Sequence, residues 1–424
     1  LKQLKKIKGT QDILPEKSIH WQALEKHVHT RMALFNFKEI RTPVFEMTEV
    51  FARGIGQFTD IVSKEMYTFT DRAQKSLTLK PEMTAPVMRA YMENTLYAKA
   101  QTHKLYYIAP LFRQENPQAG RLRQFHQFGA EFIGSAAPEA DVETILLALD
   151  IFQSLGLTDM QLRINTVGDP PSRAPYKKLL QDYFRQHISD PDPTVAARIE
   201  NNPLRVLDSK DPALQEIISR APRLVDHLTP DAAAHYASVK EQLSRAGAPF
   251  TEDPLLVRGL DYYTHTVFEI TSDALGAQNA LCGGGRYDLL ARELSDKDFP
   301  AVGFAAGMER LLMALEAQNK LPGRETAPDV FMVCLGDAAR AEMATWLRRL
   351  RDAGIPADAD FLKRSPKAQF REANRSGAHF SLILGEDELA RRCFSVKDMR
   401  ASTQQEIAFD DIISYLQARG GNHS

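Results

Sequence analysis

Apolar positions recur at helical spacing over residues 16–35, where Trp21, Leu24, Val28 and Met32 share one stripe, so the chain is expected to open with an amphipathic helix. Strand-like and mixed segments follow to about residue 134, and a second helix is expected over about 139–155. Between about 170 and 247 the pattern turns charged and helical, with breaks at Pro170, Pro171, Pro175, Pro203 and Pro222. Within it, "SDPDPTVAAR" and "LTPDAAAHYASV" read as helix starts, with Pro beside a capping Asp or Thr, and the region is read as a helical insertion. β character returns over 255–287, a helix is expected over about 306–316, and "NKLPGRETAP" has the composition of a linker. The tail then alternates: strand "DVFMVCL", helix "ARAEMATWLRRLRDAG", strand "ADADF", helix "SPKAQFREANRSG", strand "HFSLILG". That alternation points to a small parallel or mixed α/β domain.

A chain of 424 residues exceeds one ordinary domain, so two or three are expected. The net charge of −2 means that any nucleic-acid binding has to come from local patches. Cys282, Cys334 and Cys393 are far apart and form no CxxC, which argues for a reducing, cytoplasmic setting and against a zinc site or disulfide framework. The chain has no apolar run of membrane-spanning length, and the basic "LKQLKKIKG" lacks the apolar stretch of a signal peptide.

Five segments carry candidate chemistry. "FRQENPQAGRLRQFHQFGAEFIG" reads as a hairpin with a long tip, where Arg113, Arg121 and Arg123 cluster. By period two, Phe125, Gln127, Gly129 and Glu131 share one face of its returning strand, and His126, Phe128, Ala130 and Phe132 the other. The second face can pack on a core. The first puts Gln127 and Glu131 roughly 13 Å apart with a glycine between, a spacing that could flank a small polar ligand. In "LTLKPEMTAPVMRAY", Glu82 and Thr84 either begin a helix, with Thr84 as its cap, or hold an amine. "CGGGRYD" is neither a Walker loop nor a dinucleotide fingerprint, and alone it reads as a hairpin turn. In "AVGFAAGMERLLMAL", Met308, Leu311, Leu312 and Leu315 form a buried helix face. Arg310 lies in the first turn, where a cation opposes the macrodipole and an anion would be welcome. "SPKAQFREANR" aligns Lys367, Arg371 and Arg375 on one helix face, either a solvated face or a phosphate contact.

Together these segments resemble the histidyl-tRNA synthetases, class II aminoacyl-tRNA synthetases, over almost the whole chain. The likeness begins with "KGTQDILP". "RTPVFE" resembles class II motif 1, whose Pro43 lies at the family's dimer interface. The hairpin resembles motif 2 and "AVGFAAGMERL" motif 3, while "VRGLDYYTHTVFE" and "CGGGRYD" resemble the two histidine-specific signatures.

The resemblance implies an α+β catalytic domain with a central, mainly antiparallel sheet (residues 1–169 and 248–322), a helical insertion (170–247) and a C-terminal α/β anticodon-binding domain (328–424). It implies a homodimer that converts L-histidine and ATP, carried with Mg2+, to histidyl-adenylate, then transfers histidine to the 3′ end of its tRNA. No prosthetic group, bound structural metal or membrane is expected. Arg113 and Arg258 are expected at the α-phosphate and the substrate carboxylate, and Glu115, Arg121 and Arg310 on the rest of ATP. Glu82, Thr84 and Gln127 are expected at the substrate ammonium and carboxylate, and Glu131 and Tyr263 at the imidazole nitrogens, with Tyr262 and Gly284 beside them. Gln118, Arg123, Lys367 and Arg371 are the expected tRNA contacts.

Three departures stand out: Asn116 where the motif 2 loop often carries a basic residue, Lys80 for a frequent Arg, and Met83 for a frequent Gly. His265, at a variable position, is not assigned a catalytic role. The competing expectation is a non-catalytic relative that serves as a regulatory subunit of ATP phosphoribosyltransferase, but such a chain lacks the tail domain. One geometric demand follows. If "LLVRGLDYYTHTVFEI" is all strand, Arg258 and Tyr263 face opposite sides unless Gly259 breaks the alternation.

Overall fold

The structure, a computed structural model, describes residues 3–56, 59, 61–118, 120–209, 211–258, 260, 262–324 and 327–420. The chain divides into two compact units, residues 1–323 and 324–424, with the boundary inside the stretch read as a linker.

In chain order, the strands of the first unit are β1 (Lys38–Glu39), β2 (Phe45–Met47), β3 (Tyr67–Thr70), β4 (Ser76–Leu79), β5 (His103–Phe112), β6 (Gln124–Ile133), β7 (Met160–Thr166), β8 (Thr251–Glu252), β9 (Thr264–Ser272), β10 (Ala280–Arg286) and β11 (Ala301–Gly307). Its helices are α1 (Pro15–Leu34), α2 (Thr48–Ile55), α3 (Thr84–Glu93), α4 (Pro138–Ser154), α5 (Pro170–His187), α6 (Pro193–Asn201), α7 (Pro212–Ser219), α8 (Pro230–Arg245), α9 (Leu290–Leu294) and α10 (Met308–Ala317). Eight strands form one sheet in the order β1-β5-β6-β11-β10-β9-β7-β8. Only the outer pairs β1–β5 and β7–β8 are parallel, and the centre is antiparallel throughout. A three-stranded sheet, β2-β4-β3, stands apart.

The central sheet has two covered faces, and β6 shows how alternation sorts them. Phe128 and Ala130 enter a core with Trp21, Leu24, Val28 and Met32 of α1, the inner side of α4, and Met308, Leu311 and Leu315 of α10. Ile133 and Phe125 join the opposite cluster, with α3 and the insertion helices. Each insertion helix starts as its sequence dictates. Asp169, Asp192, Asp211 and Thr229 accept backbone N–H bonds at the N-caps of α5 to α8, and Pro follows each. Such a cap is worth about 1 kcal/mol, and Pro at the next position loses no hydrogen bond. The insertion is not set apart. Tyr236, Val239 and Leu243 of α8 pack into the first core, while α5 to α7 pack into the second.

Two expectations fail here. "CGGGRYD" is not a turn, because Gly283, Gly284 and Gly285 lie inside β10, paired on both sides. The stretch before Thr264 is not strand at its described residues, Leu255, Leu256, Val257, Arg258, Leu260, Tyr262 and Tyr263, which form turns and irregular backbone, and β9 starts only at Thr264. The aromatic and branched residues that mimicked a strand are there to pack, since Leu256, Tyr262 and Tyr263 are buried in the second core. The demanded break of alternation is thereby moot, and Gly259, like Asp261, lies outside the described residues.

The second unit has β12 (Val330–Cys334), β13 (Ala357–Ala359), β14 (Phe380–Leu384), β15 (Cys393–Asp398) and β16 (Gln404–Ala408), ordered β13-β12-β14-β15-β16. Its first three strands are parallel and the last two antiparallel, with helices α11 (Asp337–Asp352), α12 (Pro366–Arg375), α13 (Glu386–Arg391) and α14 (Ile412–Gly420). No helix among the described residues is long and apolar enough to cross a membrane.

Candidate active site

The site lies on the second face of the central sheet, and glycines cut its floor. Three adjacent strands each place a glycine beneath a polar side chain. A Cβ on Gly129 of β6 would fall on the hydroxyl of Tyr107, one on Gly303 of β11 on the carboxylate of Glu131, and one on Gly283 of β10 on the guanidinium of Arg258. Cross-strand register sets the first two overlaps, Tyr107 opposite Gly129 and Glu131 opposite Gly303. A polar side chain can lie flat on a sheet only where the neighbouring strand has none.

Above this floor is a cavity of about 350 Å³. Arg113, Arg121, Arg258 and Arg310 line it with Glu82, Thr84, Glu115, Gln127, Tyr262 and Tyr263, so ten of the residues expected from sequence come together. Arg258 and Tyr263 share this wall. Four of the expected residues stand elsewhere in this unit. Glu131 is only 1% exposed and lies behind the wall. Gly284 faces the other way, against the Phe268 ring in the first core, and it is Gly283 that borders the cavity. Gln118 pairs with Arg121 across the hairpin tip. Arg123 folds back, donating its amide to the Gly9 carbonyl at 2.7 Å. In the second unit, Lys367 and Arg371 are exposed on α12.

The cavity has two chemically distinct ends. Arg113, Arg121, Arg258 and Arg310 also line a second, adjoining chamber of about 820 Å³, which adds Arg163, Arg198 and Arg205. The arginine end therefore opens outward. Glu82, Thr84, Tyr107, Tyr262, Tyr263 and Tyr287 line only the first cavity and form its blind end.

Hydrogen bonds fix the arginines in place. Arg113 donates from Nε to the Pro81 carbonyl at 2.9 Å and lies over the Phe125 ring at 5.2 Å. Burial lowers its pKa. Arg258 pairs with Glu269 at 2.9 Å. Burial pulls its pKa down, but Tyr263 and Glu269 outweigh that and hold the guanidinium above its ordinary value. Arg310 donates to the Gly120 and Ala280 carbonyls at 3.1 and 3.0 Å, tying the hairpin tip to β10. Burial and then Arg121 lower its pKa, the mark of a crowded positive site. Arg121 is 45% exposed and reaches Glu115 at 3.6 Å.

At the blind end, Glu82 accepts from the amides of Thr84 and Ala85 at 2.7 and 3.0 Å, so Glu82 rather than Thr84 satisfies the start of α3. The Thr84 hydroxyl instead meets Glu131 at 2.9 Å, and the Tyr287 hydroxyl takes the other Glu131 oxygen. Burial pushes the Glu131 carboxyl up to about 8 against both bonds. Burial also raises Tyr107, Tyr262 and Tyr287 well above a free phenol, so all three stay neutral.

A model of the histidyl-tRNA synthetase family matches residues 9–311, and one of the anticodon binding domain matches residues 329–419. The chain belongs to the histidyl-tRNA synthetase family. The histidine–tRNA ligase of Moorella thermoacetica is 48% identical over 410 residues, 97% of each chain. That of Chlorobium phaeovibrioides is 48% identical over 420 residues, covering 98% of this chain and 99% of its own. The crystal structure of apo histidyl-tRNA synthetase from S. aureus superposes with a TM-score of 0.84 at 39% identity, covering 98% of this chain and all of that one. The fold is accordingly the class II catalytic domain of that family followed by its anticodon-binding domain.

Sequence reading missed several residues of this site. Tyr107 sits in the apolar strand "HKLYYIAPLF", on the face of Leu105, Ala109 and Leu111, and looks like core. Glu269 was visible as an acid in β9 but had no partner until Arg258 was placed. Tyr287 was within a quoted motif and carried no role. Arg163, Arg198 and Arg205 are scattered in sequence and meet only around the second chamber.

Proposed function

We propose that histidine activation occurs in the first cavity and that the tRNA 3′ end reaches it through the second. Membership of the family, with full-length relatives at up to 48% identity, makes the activity that of a histidine–tRNA ligase, a class II aminoacyl-tRNA synthetase that uses ATP. The observation that carries the assignment of the cavity is its polarity: a blind end of carboxyl and phenol groups, and an open end of four arginines. Histidine and ATP divide the same way.

In this reading the imidazole lies at the blind end, against Tyr262 and Tyr263, with Glu131 behind the wall. Glu82, Thr84 and Gln127 hold the ammonium and carboxylate region, with the Gly283–Gly284 backbone beneath. The histidine carboxylate attacks the α-phosphorus, the bond to pyrophosphate breaks, and the adenylate forms. Arg113 and Arg258 stabilise the charge that develops there, while Glu115, Arg121 and Arg310 hold the remainder of ATP. The substrate carboxylate is already ionised, so the step needs no general base. Then the terminal ribose hydroxyl attacks the acyl carbon and AMP leaves. Magnesium enters on the nucleotide. Two carboxylates at the arginine end, Glu115 and Glu269, are already paired with Arg121 and Arg258.

Gln118 and Arg123 on the hairpin contact the acceptor end, and the arginine-lined second chamber takes its phosphates. Lys367 and Arg371 present an exposed basic face of the anticodon-binding domain to tRNA. The chain acts as a cytoplasmic homodimer. Next to Pro43, the exposed side chains of Val44, Phe45, Met47 and Phe69 make an apolar patch that a second copy would cover. The regulatory-subunit reading expects a chain without the tail domain, which this chain carries.

ATP–pyrophosphate exchange with each amino acid in turn tests the assignment. Exchange is expected with histidine alone, and absence of histidine-dependent exchange sinks it. Arg258→Ala should lower the exchange rate about 100- to 1,000-fold while leaving histidine affinity nearly unchanged.

A further inference from the structure

Of the three polar groups laid over glycines, two have protein partners. Glu131 is held by Thr84 and Tyr287, and Arg258 by Glu269. The third does not. The Tyr107 hydroxyl is buried, with no hydrogen-bond partner among the described residues, and Tyr107 lines the first cavity while being 1% exposed. A core tyrosine normally finds a partner for its hydroxyl, because burying one unpaired costs free energy. Opposite it stands Gly129, where a Cβ would fall on this hydroxyl and on the Phe304 carbonyl, so the hydroxyl occupies space that a side chain would otherwise contest. Tyr107 lines the cavity with Glu82, Tyr262, Tyr263 and Tyr287, the residues of the blind end.

We propose that Tyr107 is a specificity-determining residue, whose hydroxyl hydrogen-bonds a ring nitrogen of the bound amino acid on the side where Glu131 lies behind the wall. Glu131 has an oxygen on each of two hydroxyls and does not line the cavity, whereas Tyr107 does. A neutral phenol can donate or accept, so it serves either face of an imidazole. A pocket that leaves a buried hydroxyl unpaired unless a ring nitrogen meets it rejects aromatic side chains that lack one. The inference rests on the histidine-activation reading and names a contact within it.

Tyr107→Phe removes only the hydroxyl. In pyrophosphate exchange, kcat/KM for histidine is expected to fall about 10- to 100-fold, mainly through KM, with KM for ATP unchanged. Histidine analogues with one ring N–H replaced by sulfur give the decisive readout. For one of the two positional analogues, the preference of the wild type for histidine should shrink in the variant by about the same factor, because that analogue has no bond left to lose. Ligand-free Tyr107→Phe should unfold at the same temperature as wild type or higher, since it loses an unpaired hydroxyl. An unchanged preference for histidine over both analogues overturns the proposal, as does equal loss with histidine and analogues, which marks a structural role. If the wild type itself shows no histidine-dependent exchange, the underlying reading fails; if it does and the variant matches it, only the role of Tyr107 fails.

Discussion

Replacing Glu131 with Gln tests the electrostatics of the blind end directly. Burial, with a smaller push from Glu82, raises the Glu131 carboxyl from 4.5 to about 8, although the hydroxyls of Tyr287 and Thr84 favour its ionised form. Those hydroxyls can also accept, so a protonated carboxyl keeps both contacts. The folded protein then holds a proton that the unfolded chain releases at lower pH. Stability from this group is complete below the unfolded value and is lost as pH rises through about 8. At about 1.36 kcal/mol per pH unit, the whole interval corresponds to roughly 5 kcal/mol, of which roughly 3 kcal/mol falls between pH 6 and 9. Gln keeps the shape and both hydrogen bonds and does not titrate. Denaturant unfolding of ligand-free wild type and Glu131→Gln across that range should therefore diverge, the wild type losing roughly 3 kcal/mol more. Infrared difference spectra should also show a protonated carboxyl at pH 7 in the wild type that the variant lacks. Parallel stability profiles together with no such band would refute the reasoning.

Gly283→Ala puts a methyl group on the movable end of Arg258. Exchange should fall about 10- to 100-fold while stability, read by unfolding, changes by less than about 1 kcal/mol. Gly303→Ala meets the Ala130 carbonyl at 2.6 Å as well as Glu131, and should cost more, about 1–3 kcal/mol in the same measurement. Asp141 and Arg286 form a fully buried ion pair, with Arg286 also donating to the Ser135 and Ala137 carbonyls at 2.8 and 3.1 Å. Asp141→Asn leaves that guanidinium with Asp288 at 3.2 Å as its remaining carboxylate and should lower stability by about 2–3 kcal/mol, below the full cost of an unpaired buried charge. Lys367→Glu combined with Arg371→Glu should raise KM for tRNA about 10-fold or more and flatten its salt dependence, with pyrophosphate exchange unchanged.

The fold was largely legible because its signals are local. Asp–Pro and Thr–Pro pairs at Asp192 and Thr229 mark helix starts by capping chemistry that acts within a few residues, and the structure places helices there. The stripe of Trp21, Leu24, Val28 and Met32 needs only one helix to be read. The four arginines of the first cavity, Arg113, Arg121, Arg258 and Arg310, were found through their motifs. What stayed hidden depends on neighbours across strands. Gly284 and Gly283 are interchangeable in sequence, and only the register of β10 against β9 and β11 turns one to the core and the other to the cavity. Gly129 was read as open space between Gln127 and Glu131, and the space belongs to a residue of β5.

The same dependence explains why Tyr107 was unreadable and why it carries weight once seen. Along β5 it obeys the apolar alternation of Leu105, Ala109 and Leu111 and contributes its ring to the same core. Its hydroxyl acquires meaning only from Gly129 opposite it and from the cavity above. A glycine inside a central strand weakens that strand, through backbone entropy and lost packing. Here β6, β11 and β10 each accept that weakening at a position covered by a polar group. At Gly283 the guanidinium of Arg258 alone fills the space of a Cβ, while at Gly129 and Gly303 the Phe304 and Ala130 carbonyls exclude one together with the Tyr107 hydroxyl and the Glu131 carboxylate. Glu131 and Arg258 have their partners in hand, whereas the Tyr107 hydroxyl has none among the described residues, and the bound amino acid is the partner proposed for it.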